Sequence, residues 1–253
     1  MATVLDRIES FLDVPATDRS LVVVDADGST PLSRLLETAF EAQSVSVTTD
    51  VATPGLDASV LLLDGNEVVA TSPLDSLVNG YLLVNSDNYR TGVMGLDEYE
   101  APAVLRALSE TRFRLRGYPA SNKEKLLLVV LSRFIERQAL AADDGTLHAS
   151  FQRLSRLDDE HGTRRVYSRL GESGVETHIY GVPDHSDPPD GLHVHAGTTP
   201  PYRRTWFVVY RSGSADETSA LVSLERADNE WDGLWTFDGE RVATAAGILD
   251  DLD

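Results

Sequence analysis

The sequence predicts an α/β fold in which mixed sheets are flanked by helices. Two patterns carry that prediction. Short β-branched runs alternate with apolar stripes at helical spacing along most of the chain. Residues 21–50 also follow the strand, helix, strand order of a β-α-β unit. With 253 residues and 42% hydrophobic content, the chain is long enough for one large domain or two small ones around a sizeable core.

In chain order, Val4, Leu5, Ile8, Phe11 and Leu12 share one helical face and predict a docked amphipathic helix. Leu21–Val24 is a strand. Thr30 is a good N-cap and Pro31 suits the first helical position, ahead of Leu32, Leu35, Leu36, Ala39 and Phe40. Val45–Thr49 alternates as a strand does. Val60–Leu63 and Glu67–Thr71 form a hairpin around Asp64-Gly65. Tyr81–Val84 is a further strand, and residues 85–100 are polar and turn-rich. Pro102–Ser109 predicts a helix and Thr111–Tyr118 a strand.

Ser121 and Glu124 make a capping box for the clearest helix, striped by Leu127, Val130, Leu131, Phe134 and Ile135. Gln138 interrupts that stripe, so the helix is expected to leave the core there. Ala142–Gly145 is a loop, Phe151–Leu157 a short helix or turn, Thr163–Leu170 a helix and Val175–Tyr180 a strand. Residues 182–201 predict a long loop with one short strand near His193. Thr205–Tyr210, Ser219–Leu224 and Leu234–Phe237 are strands, and Val242–Leu252 is a closing helix. The run from Asp64-Gly65 to Thr71, with Leu74 and Leu77, echoes Asp238-Gly239 to Thr244, with Ile248, Leu249 and Leu252. Duplication of an α/β half explains the echo, and so does chance matching over eight residues.

Charge narrows the setting. The net charge is −19, the pI is near 4.6, and only Lys123 and Lys125 are lysines. Carboxylates bind water tightly and keep a protein dissolved where salt screens repulsion. A salt-rich cytoplasm, that of a halophilic archaeon, is expected. Met1–Leu12 carries Asp6, Arg7 and Glu9, unlike a signal peptide, and the apolar run Leu126–Leu131 is too short to span a bilayer. No cysteine is present, which removes thiolate nucleophiles and disulfides. Residues 111–169 hold twelve basic and seven acidic residues, against ten and thirty-four elsewhere. Such an island suits an anionic ligand or acidic partner, or internal ion pairs.

Two motifs suggest chemistry. Asp25 and Asp27, after the strand Val22–Val24, resemble the Asp-x-Asp nucleophile motif of haloacid dehalogenase-like phosphatases, which hold magnesium. The later Gly-Asp-x-x-x-Asp of that pattern is absent. His193 and His195 alternate, so a strand places both on one face as candidate metal ligands. The alternative is a loop bearing surface histidines. No G-x-S-x-G elbow, P-loop or G-x-G-x-x-G occurs. The net charge argues against direct binding of nucleic acid.

An ordered series of motifs remains. It runs Gly117-Tyr118-Pro119, Leu131–Glu136, Phe151–Arg156, Val166-Tyr167 with Leu170, Val175–Asp184, Trp206–Val209 and Trp231–Asp238. The series resembles the DICT sensory domain, named for diguanylate cyclases and two-component systems. The resemblance divides the chain into an N-terminal α/β region, 1–118, and a DICT-like sensory domain, 119–253. It implies a non-enzymatic sensor or signalling adaptor. No cyclase or histidine-kinase signature occurs, so a separate output protein is the expected partner, without nucleic acid or membrane. A magnesium-dependent phosphohydrolase using Asp25 and Asp27, or a structural interaction module, are the alternatives. No cofactor is identified, and a small-molecule ligand is open. Within these motifs Arg133, Arg153 and Arg156 suit a phosphate or carboxylate, or pair internally with Glu136, Asp158, Asp159 or Glu160. Phe151, Tyr180, Trp206 and Trp235 are candidates for an aromatic cleft, though large aromatics also fill cores. Asp184 follows a strand end, a common place for function in α/β sheets.

Overall fold

A computed structural model of the protein describes residues 2–25, 37, 40, 45–52, 57–77, 102–116, 122–159, 161–184, 187–213, 217–228 and 230–252. The helix expected over 32–40, the strand Tyr81–Val84, the cap residue Ser121 and the candidate Asp27 lie outside these residues, apart from helical Glu37 and Phe40. Two mixed sheets form, as expected. The smaller has the order β2-β1-β3-β4, from Arg19–Asp25 (β1), Ser46–Ala52 (β2), Ser59–Asp64 (β3) and Glu67–Pro73 (β4). β1 runs parallel to β2 and antiparallel to β3. Gly65, at φ +59°, supplies the left-handed position of the β3–β4 hairpin.

The larger sheet has the order β5-β11-β10-β9-β6-β7-β8. Its strands are Phe113–Arg116 (β5), Thr146–Arg153 (β6), Glu176–Val182 (β7), His193–Ala196 (β8), Thr205–Arg211 (β9), Ser219–Ala227 (β10) and Glu230–Thr236 (β11). β6, β7 and β8 are mutually parallel and the remaining pairs antiparallel. The helices are Val4–Leu12 (α1), Ala103–Ala107 (α2), Asn122–Ala142 (α3), Arg156–Asp159 (α4), His161–Gly171 (α5), Pro200–Arg204 (α6) and Gly239–Leu249 (α7).

Strand alternation separates the two faces of the larger sheet. Val208 and Tyr210 face one core, with Leu131 and Ile135 of α3, Val166 and Tyr167 of α5, and Leu21, Val23, Val60 and Leu62 of the smaller sheet. Phe207 and Val209 face a second core, with Ile8, Phe11 and Leu12 of α1 and Val242, Ala245 and Leu249 of α7. Each of these large side chains contributes roughly 1.5–3 kcal/mol on burial. α1 opens with a capping box between Thr3 and Asp6. It is clamped to α7 by Arg7, which donates to the Gly247 carbonyl at 2.9 Å and pairs with Asp251. Arg241 returns the clamp by donating to the Phe11 carbonyl at 2.6 Å. The expected division at 118/119 falls between β5 and α3. Both α1 and β5 nonetheless pack with strands from the second half of the chain.

Three expectations need correction. The residues expected as a short helix or turn, Phe151–Leu157, begin inside strand β6, and only Arg156–Asp159 is helical. α3 does not leave the core at Gln138. It runs on to Ala142 with Ala139 fully buried, and Gln138 accepts a hydrogen bond from Ser219 Oγ at 2.5 Å. The echoed segments also fold differently. Asp64-Gly65 turns into strand β4, whereas Asp238 caps helix α7 by accepting from the Arg241 amide at 2.9 Å. Adjacent β-branched Val68 and Val69 favour the strand, and Ala243, Ala245 and Ala246 favour the helix.

Candidate functional site

A cavity of about 80 Å³ lies between α3, α5 and the strands β6 and β9. α3 places Ser132, Arg133 and Glu136 on its inner face, all at most 9% exposed. Arg133 bonds to Glu136 one turn on and to Thr163 Oγ1 of α5. Tyr167, one turn after Thr163, donates to the other Glu136 oxygen at 2.9 Å. Both carboxylate oxygens are therefore engaged. Burial first, then the Glu136 charge, push the Tyr167 phenol well above its ordinary value, so it remains a donor. A charge pair this deep survives because every member is hydrogen-bonded.

The opposite wall comes from an irregularity in β6. The parallel register with β7 runs evenly to Ser150 opposite Tyr180, then skips Phe151, so that Gln152 faces Gly181. This bulge brings the consecutive Phe151 and Gln152 to the cavity. Gln152 takes φ +60°, a left-handed conformation that costs a non-glycine residue about 1–2 kcal/mol. Its Oε1 accepts from Arg156, at the start of α4. Its Nε2 is buried with no partner, and so is Ser132 Oγ across the cavity. Phe151 stands edge-on to Tyr167 at 4.9 Å, and Trp206 of β9 completes the apolar lining.

Of the expected site residues, Arg133, Phe151, Arg156 and Trp206 meet at this cavity. Arg153 is exposed at the end of β6 and is not among its lining. Asp184 acts one step away: its carboxylate accepts from the Ser155 amide at 2.8 Å and from Ser155 Oγ at 2.6 Å, fixing the turn that aims α4. Trp235 is buried core, donating to the Leu105 carbonyl at 3.0 Å and packing on Phe113. Glu136 stands where the alternative of an internal ion pair for Arg133 places it, Tyr167 lies within the Val166-Tyr167 motif, and Ser132, Thr163 and Gln152 were not singled out from sequence. The i, i+3 spacing of Arg133 and Glu136 on one helix is what makes that internal pair possible. Asp25 ends β1, and its side chain lies outside the described residues.

Tyr180, His193 and His195 belong to a second cluster. Strand register sets His148, His178 and His193 side by side on β6, β7 and β8, with Tyr180 beside His195 in the next row. His178 stacks on His148 and on His193 at 4.8 Å, and Tyr180 stacks on His195 at 4.4 Å. His148 Nδ1 lies 3.0 Å from the Tyr180 hydroxyl, and His178 Nδ1 lies 2.9 Å from His195 Nε2. Burial, then the neighbouring imidazoles His178 and His195, hold His148 down to about 4. Arg211 acts in the same sense and Glu176 against it. Among the described residues no three His, Asp or Glu side chains are arranged to hold a metal.

The basic island pairs inward at several points. Buried Asp232 receives Arg112, Arg114 at 3.0 Å and Arg226 at 3.1 Å. Burial raises its carboxyl, but the hydrogen bonds and charges of Arg114 and Arg112 outweigh that and hold it below its ordinary value. Arg164 pairs with Asp158 at 2.5 Å. No helix among the described residues is long and apolar enough to cross a membrane.

No curated protein matches the chain. The crystal structure of polyphosphate kinase from Porphyromonas gingivalis is similar over 93% of this chain and 46% of its own, at 11% identity and a TM-score of 0.32. This chain thus spans less than half of that one, and the overlay is too loose to fix a shared fold. The family match begins before residue 119 and stops short of the Trp231–Asp238 motif, yet contains every residue lining the cavity. Residues 103–226 match DICT, the sensory domain in diguanylate cyclases and two-component systems, and that is the family to which this part of the chain is similar.

Proposed function

We propose that this protein is a non-enzymatic sensory module in which the cavity between α3, α5 and the β6 bulge receives the signal molecule. The bound state is relayed to a separate output protein in a salt-rich cytoplasm. One observation carries the proposal. Among the described residues five buried polar side-chain atoms lack a partner, and two of them, Ser132 Oγ and Gln152 Nε2, belong to this one cavity. Burying an unsatisfied polar group costs roughly 1–3 kcal/mol, and a ligand that supplies the missing bonds recovers it. The strained backbone of Gln152 points the same way, since strain of this kind gathers at ligand sites.

The test is thermal melting in multimolar KCl against nucleotides, cyclic dinucleotides, flavins and small aromatic acids. A ligand at one hundred times its Kd stabilises by about 2.7 kcal/mol, which raises Tm by roughly 5–10 °C for a chain of this size. The expected result is such a rise with one class of compound, without turnover, and its loss in Gln152→Gly. An equal rise in that variant, or chemical conversion of the compound, would sink the proposal.

A further inference from the structure

Resting on the cavity as the signal site, we infer that its ligand is an uncharged, flat, six-membered heterocycle with a carbonyl-type acceptor on one edge and a second polar atom on the opposite edge. The two buried atoms that await partners carry most of that assignment.

Gln152 and Ser132 are only 7% and 5% exposed, and Gln152 Nε2 and Ser132 Oγ are buried without a partner on facing walls of the cavity. Arg156 fixes which way the Gln152 amide turns. A guanidinium only donates, so the amide oxygen faces Arg156 and the NH2 group is left to the cavity. An NH2 group in turn only donates, so the ligand atom that meets it is an acceptor. Ser132 stands on α3, where a serine hydroxyl often bonds back to a carbonyl of its own helix. Here it makes no such bond, and it can donate to or accept from a second polar atom. Both waiting groups are uncharged. A full charge taken out of water needs an opposite charge beside it, which neither an amide nor a hydroxyl supplies, whereas a carbonyl needs only the donor. Arg133 and Arg156 enter only through bonds they already make, to Glu136, Thr163 and Gln152.

Rings and volume set the body of the ligand. Phe151, Tyr167 and Trp206 line the cavity, and Phe151 stands edge-on to Tyr167, so a flat ring finds both faces and edges to pack on. A volume of about 80 Å³ offers roughly five to eight water-sized positions, the space of one substituted six-membered ring.

The experiment is a protein-observed NMR titration in multimolar KCl that follows the tryptophan indole N–H signals. The chain has three tryptophans. Trp206 lines the cavity and reports on it, while Trp235, buried in the core on the Leu105 carbonyl, is the internal control. The probes are 4-pyridone, benzene, acetamide and benzoate. 4-Pyridone is expected to shift Trp206 and not Trp235. Benzene lacks the acceptor, acetamide the ring, and benzoate carries a charge, so each should bind at least tenfold more weakly. Gln152→Gly should weaken 4-pyridone at least tenfold. Ser132→Ala puts a better helix former on α3, so the fold is retained, and it should weaken 4-pyridone about fivefold. If benzene or benzoate shifts Trp206 as tightly as 4-pyridone, or if Ser132→Ala binds 4-pyridone as the wild type does, the assignment is overturned while the cavity remains the signal site. If no probe shifts Trp206, or if Gln152→Gly binds 4-pyridone unchanged, both the assignment and the site fall.

Discussion

Lowering the pH from 7 to 5 should destabilise this protein through His148. In the unfolded chain the imidazole titrates near 6.5, and in the folded protein near 4. The folded state therefore disfavours the proton. Above 6.5 both states are neutral and the folded protein keeps its full stability. As pH falls from 6.5 toward 4 the unfolded chain takes the proton first and stability drains away, levelling off below 4. A difference of 6.5 against about 4 corresponds to about 3 kcal/mol when complete, and to about 2 kcal/mol at pH 5. His178, whose imidazole is lowered first by burial and then by its histidine neighbours against the pull of Glu176, adds loss in the same direction. Because His148 is buried at 7% exposure, molar salt leaves the effect largely intact while it screens surface pairs. The assay is denaturant unfolding at pH 7 and pH 5 in fixed KCl, on wild type and His148→Gln. Glutamine cannot take the proton, so the variant starts less stable at pH 7 but loses about 2 kcal/mol less on acidification. Parallel losses in the two proteins would refute the argument.

Replacing Gln152 by glycine relieves the φ +60° strain and removes the orphan donor, so the ligand-free protein should gain about 1 kcal/mol while ligand binding disappears. A loss above 1 kcal/mol in urea unfolding would contradict that account. Glu136→Gln removes the buried carboxylate charge that faces Arg133 and should cost roughly 3–5 kcal/mol, whereas Tyr167→Phe, which removes one hydrogen bond, should cost about 1–2 kcal/mol. Their unfolding free energies should be strongly non-additive in the double variant, since both act on one carboxylate. Asp232→Asn removes the buried carboxylate charge shared by Arg112, Arg114 and Arg226 and should cost roughly 3 kcal/mol at pH 7. The depressed Asp232 carboxyl contributes stability above the ordinary carboxylate range and loses it as pH falls through its lowered value. The variant's deficit should accordingly close in acid, and a constant gap across that window would count against the shared-carboxylate reading.

Elements with clean periodicity were legible from the sequence. The stripe of Leu131, Phe134 and Ile135, the hairpin at Asp64-Gly65 and the alternation of Phe207 and Val209 against Val208 all stand where their spacing places them. Strand β6 was hidden because its second face is polar yet buried. His148 meets Tyr180, and Ser150 donates to the Thr205 carbonyl at 3.1 Å, so neither side chain reads as core. The bulge at Phe151 then breaks the period of two at the point where the cavity forms. The cavity was legible only in part for the same reason. Arg133, Arg156, Phe151 and Trp206 announce themselves by size or charge. Gln152 matters through a backbone angle and an absent partner, neither of which one sequence displays. Tyr167 is fully buried, and only its tertiary neighbour Glu136 makes it part of a polar network.

The clamp between α1 and α7 also sets an order of events during synthesis. Arg7 bonds to Asp251 across 244 residues of chain. At roughly 5–20 residues per second, α1 leaves the ribosome some 10–50 s before its partner helix exists. Through that interval Ile8, Phe11 and Leu12 have no α7 to pack against, and the face bearing Phe207 and Val209 lacks the cover of Val242, Ala245 and Leu249. The second core therefore cannot close until the C-terminal helix has been made, however early α1 forms.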